Sequence, residues 1–515
     1  MGNHLFDLVR SRMPAPDAPF ALLDDGRRHA YADMVDVSSR FANALVSLGV
    51  QPGDRVAVQV EKSVEALMLY LGAVRAGAIF LPLNTAYTPA EIEYFLGDAQ
   101  PAVFVCDPAK AQALKPYADM ADAKLETLGV WRSPDVSAGT LSDKALAAST
   151  AFTDVARGAD DLAAILYTSG TTGRSKGAML SHDNLASNAL ALVDYWRFTK
   201  DDVLLHALPI FHTHGLFVAT NCVLFSGASM ILLPKFDPDQ VFKHLPHATC
   251  MMGVPTFYVR LLQEARLTTE ATKHMRLFVS GSAPLLAETH REWRERTGHA
   301  ILERYGMTET NMNTSNPYEG ERVAGTVGFP LPGVSARVVD PETGKELAAD
   351  EIGMIEVKGP NVFKGYWRNP EKTAAEFKPD GFFITGDLGK IDAAGYVHIV
   401  GRGKDLIITG GYNVYPKEVE TEIDEMPGVI ESAVIGCPHA DFGEGVTAVV
   451  VVKPGATVTA ASIAQTLEQR LAKFKLPKQV FIVDDLPRNT MGKVQKNLLR
   501  EQYKDIYAPN AKAGA

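Results

Sequence analysis

The sequence predicts an α/β protein made of more than one structural unit, and three observations carry that reading. The chain has 515 residues, more than one hydrophobic core usually supports. Apolar runs of strand character alternate with helical spacing as far as Ser280. From about Gly325 to Val400 the pattern changes to short strands broken by Gly, Pro and Asp turns, and a small unit with both helices and strands follows.

Taken in order, Arg55-Val-Ala-Val-Gln-Val60 is a β-branched run, Ser63 to Ala76 has helical apolar spacing, and Ile79 to Pro82 and Ala102 to Cys106 are strands again. The alternation resumes at Leu162 to Tyr167 and continues through Met230 to Leu233, Met251 to Val254 and Arg276 to Ser280. Such alternation predicts parallel sheets covered by helices, with ligands at the carboxyl ends of strands. The turn-rich region, as in Asp392-Ala-Ala-Gly-Tyr-Val-His398, predicts a β-rich subdomain over about 325–400. After Gly401-Arg-Gly-Lys-Asp405 come a helix from Pro416, a strand near Ser432 to Ile435, a helix from Ala461, a strand at Val480 to Val483 and a loose tail over 509–515.

Composition narrows the partners. Hydrophobic residues at 46% and charged residues at 22% suit a globular protein. The formal charge of -10 argues against general affinity for nucleic acid or anionic membrane, so an anionic ligand needs a local basic patch. Cys106, Cys222, Cys250 and Cys437 form no C-x-x-C pair, which reads as reduced cytosolic thiols. The first residues show neither an apolar signal region nor an Arg-rich transit pattern. Phe6 stands where a myristoylation signal wants Ser or Thr. No apolar run approaches the roughly 18–20 residues of a membrane span. A cytoplasmic protein acting on small molecules is expected.

The segment Tyr167-Thr-Ser-Gly-Thr-Thr-Gly-Arg-Ser-Lys-Gly177 follows a strand of buried character and is mostly Gly, Ser and Thr. Glycines let backbone N–H groups converge on phosphate oxygens, hydroxyls add donors and Lys176 adds charge. It departs from the P-loop pattern, because Ser175 stands where the second glycine belongs.

This segment resembles the phosphate loop of the adenylate-forming superfamily of acyl-CoA synthetases, luciferases and peptide-synthetase adenylation domains. Five further motifs appear in that family's order: Arg304-Tyr-Gly-Met-Thr-Glu309, Phe382-Phe-Ile-Thr-Gly-Asp387, Gly401-Arg-Gly-Lys-Asp405, Gly410-Gly-Tyr-Asn-Val-Tyr-Pro416 and Pro487-Arg-Asn-Thr-Met-Gly-Lys493. The resemblance covers almost the whole chain. It implies a large N-terminal AMP-binding domain over 1–401, with two helix-covered, mainly parallel sheets plus the β-rich subdomain. A hinge over 402–405 and a small, mobile α+β lid over 406–515 complete it.

The resemblance also implies roles and the cofactors ATP, Mg²⁺ and coenzyme A. Thr168, Ser169, Gly170, Thr171, Thr172, Gly173 and Lys176 would cradle phosphates. The backbone of Gly281, Ser282, Ala283 and Pro284 would meet the adenine edge and Tyr305 its face, with Gly306 and Met307 following. Thr308 would bond the α-phosphate, and Glu309 would hold Mg²⁺, a hard cation on a carboxylate oxygen. Asp387 would accept from the ribose hydroxyls, helped by Arg402. Lys493 would supply positive charge where the carboxylate and the α-phosphate meet. Lys404 would be the hinge, and Gly410, Gly411 and Tyr412 would help form the pantetheine tunnel. Acetylation of Lys493 would remove its charge, making a lysine acetyltransferase an expected partner.

Substrate choice rests on two arginines. Many relatives carry a small residue where this chain has Arg304, and Arg260 lies on a helix that lines the acyl pocket in relatives. Together they suggest a second carboxylate on the substrate, since a neutral acid would leave two guanidiniums desolvated and unpaired. Ser282 and His212 would add donors, and the bulky Met307 and Phe211 suggest a short pocket. The expectation is a ligase for malonate or methylmalonate. Alternatives are acetate, oxalate or succinate, or a non-catalytic nucleotide-binding protein of the same fold. A metal role for His212 and His214 lacks a third ligand in the sequence.

Overall fold

The structure, a computed structural model, describes residues 2–131, 137–168, 175–410, 412–439, 441–489 and 492–508. Among these residues four sheets form, two of them large and mainly parallel. The first runs in the order Lys124–Thr127, Val103–Cys106, Arg55–Gln59, Ile79–Pro82, Leu162–Thr168, Lys176–Ser181, with only the last strand antiparallel to its neighbour. The second runs Phe329–Pro330, Asn311–Ser315, Leu302–Met307, Leu277–Ser280, Cys250–Gly253, Val203–His206, Ser229–Leu232, Pro19–Leu23, Arg28–Ala30. It is parallel in the middle and antiparallel at both edges.

One apolar core lies between these sheets, and the helix Val64–Arg75 shows why. Ser63 caps it by accepting from the Ala66 N–H, and every residue of the helix is buried. Apart from Glu65 and Arg75 it is apolar all round and has no face to give to water, so it lies inside. Its Leu67, Leu69 and Tyr70 share a cluster with Val56 and Phe80 of the first sheet and with Leu204 and Met252 of the second. The strands it serves, such as Val103–Cys106 and Leu277–Ser280, are buried along their whole length, as strands covered on both faces must be.

The turn-rich stretch folds as a four-stranded antiparallel sheet, Ser335–Val339, Gly353–Lys358, Phe383–Ile391 and Val397–Arg402. A 3₁₀ turn, Gly403–Asp405, leads into a separate five-stranded sheet with its own apolar clusters. The helices Pro416–Asp424, Ala460–Glu468 and Lys496–Tyr503 belong to this last unit. The tail over 509–515 lies outside the described residues. No helix among the described residues is long and apolar enough to cross a membrane.

Candidate active site

The site forms at the carboxyl ends of the large sheets, where the lid's Lys493 loop meets the N-terminal body. The phosphate-loop strand Leu162–Thr168 turns back into Lys176–Ser181, with Thr168 opposite Lys176. Ser169, Gly170, Thr171, Thr172 and Gly173 lie outside the described residues. Tyr94 anchors the far end of the turn, donating to the Ser175 carbonyl at 2.6 Å. Lys176 extends over the Tyr366 ring, 4.4 Å from its centroid, and its ammonium stands 3.7 Å from Glu376.

The strand Leu302–Met307 builds the centre. Side chains alternate across it. Glu303 turns to one side, where it accepts from the Leu285 N–H, and burial raises its pKa to about 8. Arg304 turns to the other side and is 3% exposed. Among the described residues neither its Nε nor its Nη2 has a hydrogen-bond partner. Those two nitrogens form one edge of the guanidinium, the edge that receives a carboxylate in parallel. Desolvation lowers the Arg304 pKa to about 9. The guanidinium fits only because residue 281 is glycine: a Cβ there would lie 2.3 Å from Arg304 Cζ.

Two histidines complete this chamber. His214 opens the π-helical segment His214–Thr220, a geometry concentrated at functional sites. His206 secures that segment, its Nε2 meeting the Gly215 carbonyl at 2.9 Å. His214 Nδ1 lies 3.1 Å from Ser282 Oγ, while its buried Nε2 has no partner among the described residues. His212 Nδ1 accepts from the His214 N–H at 3.2 Å, so its Nε2 carries the proton and can donate. Burial, Lys493 and Arg304 depress the His212 pKa to about 3, so it is a neutral donor at physiological pH. Ser282 holds a left-handed backbone, φ 70°, unusual for a residue with a side chain. These surroundings are cationic, and among the described residues no group of three or more metal-ligating side chains occurs.

Arg260 does not join Arg304. On the helix Pro255–Leu262, Tyr258 and Leu261 turn into the core and leave Arg260 on the exposed side. Its guanidinium sits over Phe236, 5.1 Å from the ring centroid. The expectation of two arginines in one pocket is therefore corrected to one. Apolar anchoring of the helix decided which way Arg260 points, and a planar cation over a ring needs no buried partner.

The residues expected to meet the ribose and the metal form a connected set. Arg402 Nε is 2.8 Å from Asp387 Oδ1, and the Tyr305 hydroxyl donates to Asp387 Oδ2. Glu309 is buried, with its pKa raised by desolvation, and its Oε1 faces the Tyr366 hydroxyl at 3.1 Å. A buried carboxylate with so little compensation suits a hard divalent cation. Thr308 and Met307 are half-buried beside it. Tyr366 and Glu376 were not foreseen, because an ordinary Tyr after glycine and a Glu on the helix Pro370–Glu376 carry no distinguishing local pattern.

Lys493 reaches this set from the lid. A tight turn presents it: the Asn489 N–H donates to the Lys493 carbonyl at 2.9 Å, and Asn489 Oδ1 accepts from the Lys493 N–H at 2.9 Å. Gly492 supplies φ 74° and sits against Thr256 of the N-terminal body. The Lys493 side chain is exposed and stands within electrostatic reach of Arg402, Asp387, Arg304 and Glu309. Desolvation, Arg402 and Arg304 lower its pKa to about 8, against the opposing pull of Asp387 and Glu309. Gly410 and Tyr412 lie elsewhere on the lid, with Tyr412 exposed and stacked on Phe474; Gly411 lies outside the described residues. Lys404 is in the connecting 3₁₀ turn.

Residues 10–367 match the AMP-binding enzyme family and residues 418–493 its C-terminal domain. The crystal structure of ATP-bound MatB from Rhodopseudomonas palustris is 67% identical, covers 98% of this chain and 100% of its own, and superposes with a TM-score of 0.96. Against apo MatB from the same organism the TM-score is 0.85. The present arrangement is thus nearer to the nucleotide-bound one. The malonate–CoA ligase of Bos taurus is 34% identical over 96% of this chain and 90% of its own length. A feruloyl-CoA synthase of Amycolatopsis is 35% identical over 96% and 98%. With the family's two parts spanning most of the sequence and such relatives aligned along nearly all of it, the chain belongs to the AMP-binding enzyme family.

Proposed function

We propose that this protein is an AMP-forming malonate–CoA ligase. It joins malonate to ATP as malonyl-AMP with release of diphosphate, and then transfers the malonyl group to the thiol of coenzyme A with release of AMP. The observation that carries the malonate reading is Arg304, a buried guanidinium whose Nε and Nη2 edge has no partner among the described residues. A distal carboxylate matches that edge with two parallel, charge-assisted bonds. A neutral aromatic acid of the kind named for the Amycolatopsis relative would leave the charge desolvated and unpaired. The resemblance to curated malonate–CoA ligases points the same way.

In this reading Arg304 holds one carboxylate of malonate and directs the other towards the α-phosphate. His212 donates from Nε2, and Ser282 is held in place by His214. Lys493 lowers the repulsion between the two anions as the new P–O bond forms, an interaction strongest in the transition state. Glu309 would hold Mg²⁺, whose charge offsets that of the triphosphate. Asp387 and Arg402 fix the ribose, and Tyr305 the adenine. Rotation about Lys404 then withdraws Lys493 and brings Gly410, Gly411 and Tyr412 to the site for thiol attack. The chamber also bears on methylmalonate, which keeps both carboxylates. Acetylation of Lys493 by a lysine acetyltransferase would stop the first step only.

Coenzyme A-dependent AMP formation, measured across mono- and dicarboxylates of two to five carbons, tests the assignment. Malonate is expected to give the highest kcat/KM. A higher value for acetate, succinate or an aromatic acid added to the panel would remove malonate as the substrate.

A further inference from the structure

Lys176 is a charged side chain of the phosphate-loop segment, yet in this structure it faces a carboxylate. Glu376 Oε1 lies 3.7 Å from Lys176 Nζ and 2.7 Å from Lys372 Nζ. Glu376 Oε2 accepts from the Tyr366 hydroxyl at 2.6 Å, and the same hydroxyl lies 3.1 Å from Glu309 Oε1. A tyrosine has one proton to give, and it serves the nearer acceptor, Glu376. The Lys176 ammonium rests on the ring of that tyrosine. Phosphate strand, Tyr366 and the helix Pro370–Glu376 are therefore joined through one carboxylate.

We propose that Glu376 is a positioning residue that parks Lys176 before nucleotide binds, surrenders it to the triphosphate, and opposes retention of diphosphate afterwards. The proposal rests on the adenylate-forming reading above. The distances favour exchange. Glu376 has a nearer cation in Lys372, so losing Lys176 to a phosphate does not strand a bare carboxylate. Lys176 trades one partner for a more highly charged one. The carboxylate that remains beside it is a like charge to the phosphates, so ground-state binding of ATP and of diphosphate is held down. A purely structural Glu376 would act with the opposite sign, since its loss would disorder Lys176 and weaken binding.

Calorimetric titration of the full-length protein with MgATP and with magnesium diphosphate tests this without turnover. Glu376→Gln is expected to bind both about three- to fivefold more tightly, the scale of a half-buried ion pair. Lys372→Met, which leaves the carboxylate to Lys176, is expected to bind both more weakly by a similar factor. This second variant alters an exposed side chain and carries the test alone if Glu376→Gln does not fold. Weaker binding by Glu376→Gln, or unchanged binding by Lys372→Met, would overturn the proposal. Failure of the unaltered protein to bind MgATP would instead count against the adenylate-forming reading.

Discussion

A buried guanidinium with two donors that meet no acceptor among the described residues is a standing electrostatic cost, and Arg304 carries it. Arg304→Met keeps the length and removes the charge. Its kcat/KM for malonate should fall at least about tenfold, the scale of a hydrogen bond to a charged group. The ligand-free variant should melt at a higher temperature than the parent and lose the stabilisation that malonate gives. A melting temperature that fell would mean that Arg304 serves the fold. Lys493 allows a second test by pH. Its lowered pKa, about 8, means that the free enzyme loses the ammonium as pH rises through that value. Since kcat/KM for ATP reports the free enzyme, that parameter should be level below pH 8 and decline above it. Lys493→Arg, active or impaired, should lack this alkaline limb. A profile flat to about pH 9.5 in the parent would exclude an essential Lys493 with this pKa.

Among the elements, the turn from Asn489 to Lys493 does the most with the fewest residues. It needs a left-handed glycine, and a Cβ at Gly492 would lie 3.3 Å from the Thr256 side chain. Gly492→Ala meets both the backbone penalty and that contact. We expect malonate-dependent exchange of diphosphate into ATP to fall about tenfold or more, a loss of roughly 1.4 kcal/mol in transition-state stabilisation. Conversion of supplied malonyl-AMP to malonyl-CoA should stay within about threefold of the parent, a difference of well under 1 kcal/mol. Equal loss in both half-reactions would show that the turn matters to lid folding instead. Motifs of this kind are readable because turn chemistry is local: Gly492 and Asn489 act through their own backbone. The strands at Arg55–Gln59 and Leu277–Ser280 were legible for a similar reason, as apolar β-branched runs report burial on both faces. The π-helical segment at His214 was not, because its apolar run from Leu216 to Ala219 is unbroken and gives no period to read.

At the scale of the whole molecule, one arrangement of body and lid is present, with Lys493 among Arg402, Asp387 and Glu309. It superposes better on ATP-bound than on apo MatB. The second half-reaction would require the lid to turn about the segment Gly403–Asp405. Lys404→Pro restricts that turn by fixing one backbone angle. Diphosphate exchange should persist near the parental rate, while coenzyme A-dependent AMP formation drops about tenfold or more. If both rates survive, Lys404 is not the hinge.

The sequence by itself determined the class of fold, the order of the six motifs and the chemical type of each motif side chain. These depend on local backbone preference and on spacing along the chain. What only the tertiary structure decided is how distant elements aim their side chains at one another. Both arginines were visible, but packing of Tyr258 and Leu261 sent Arg260 to the surface, while the glycine at 281 let Arg304 into the chamber. Lys176 was visible as a phosphate ligand, but its partner Glu376 arrives from a remote helix and leaves no mark at either position. Periodicity tells which face of an element is buried; it cannot tell which buried charge will be left without a partner, because that depends on every element that surrounds it.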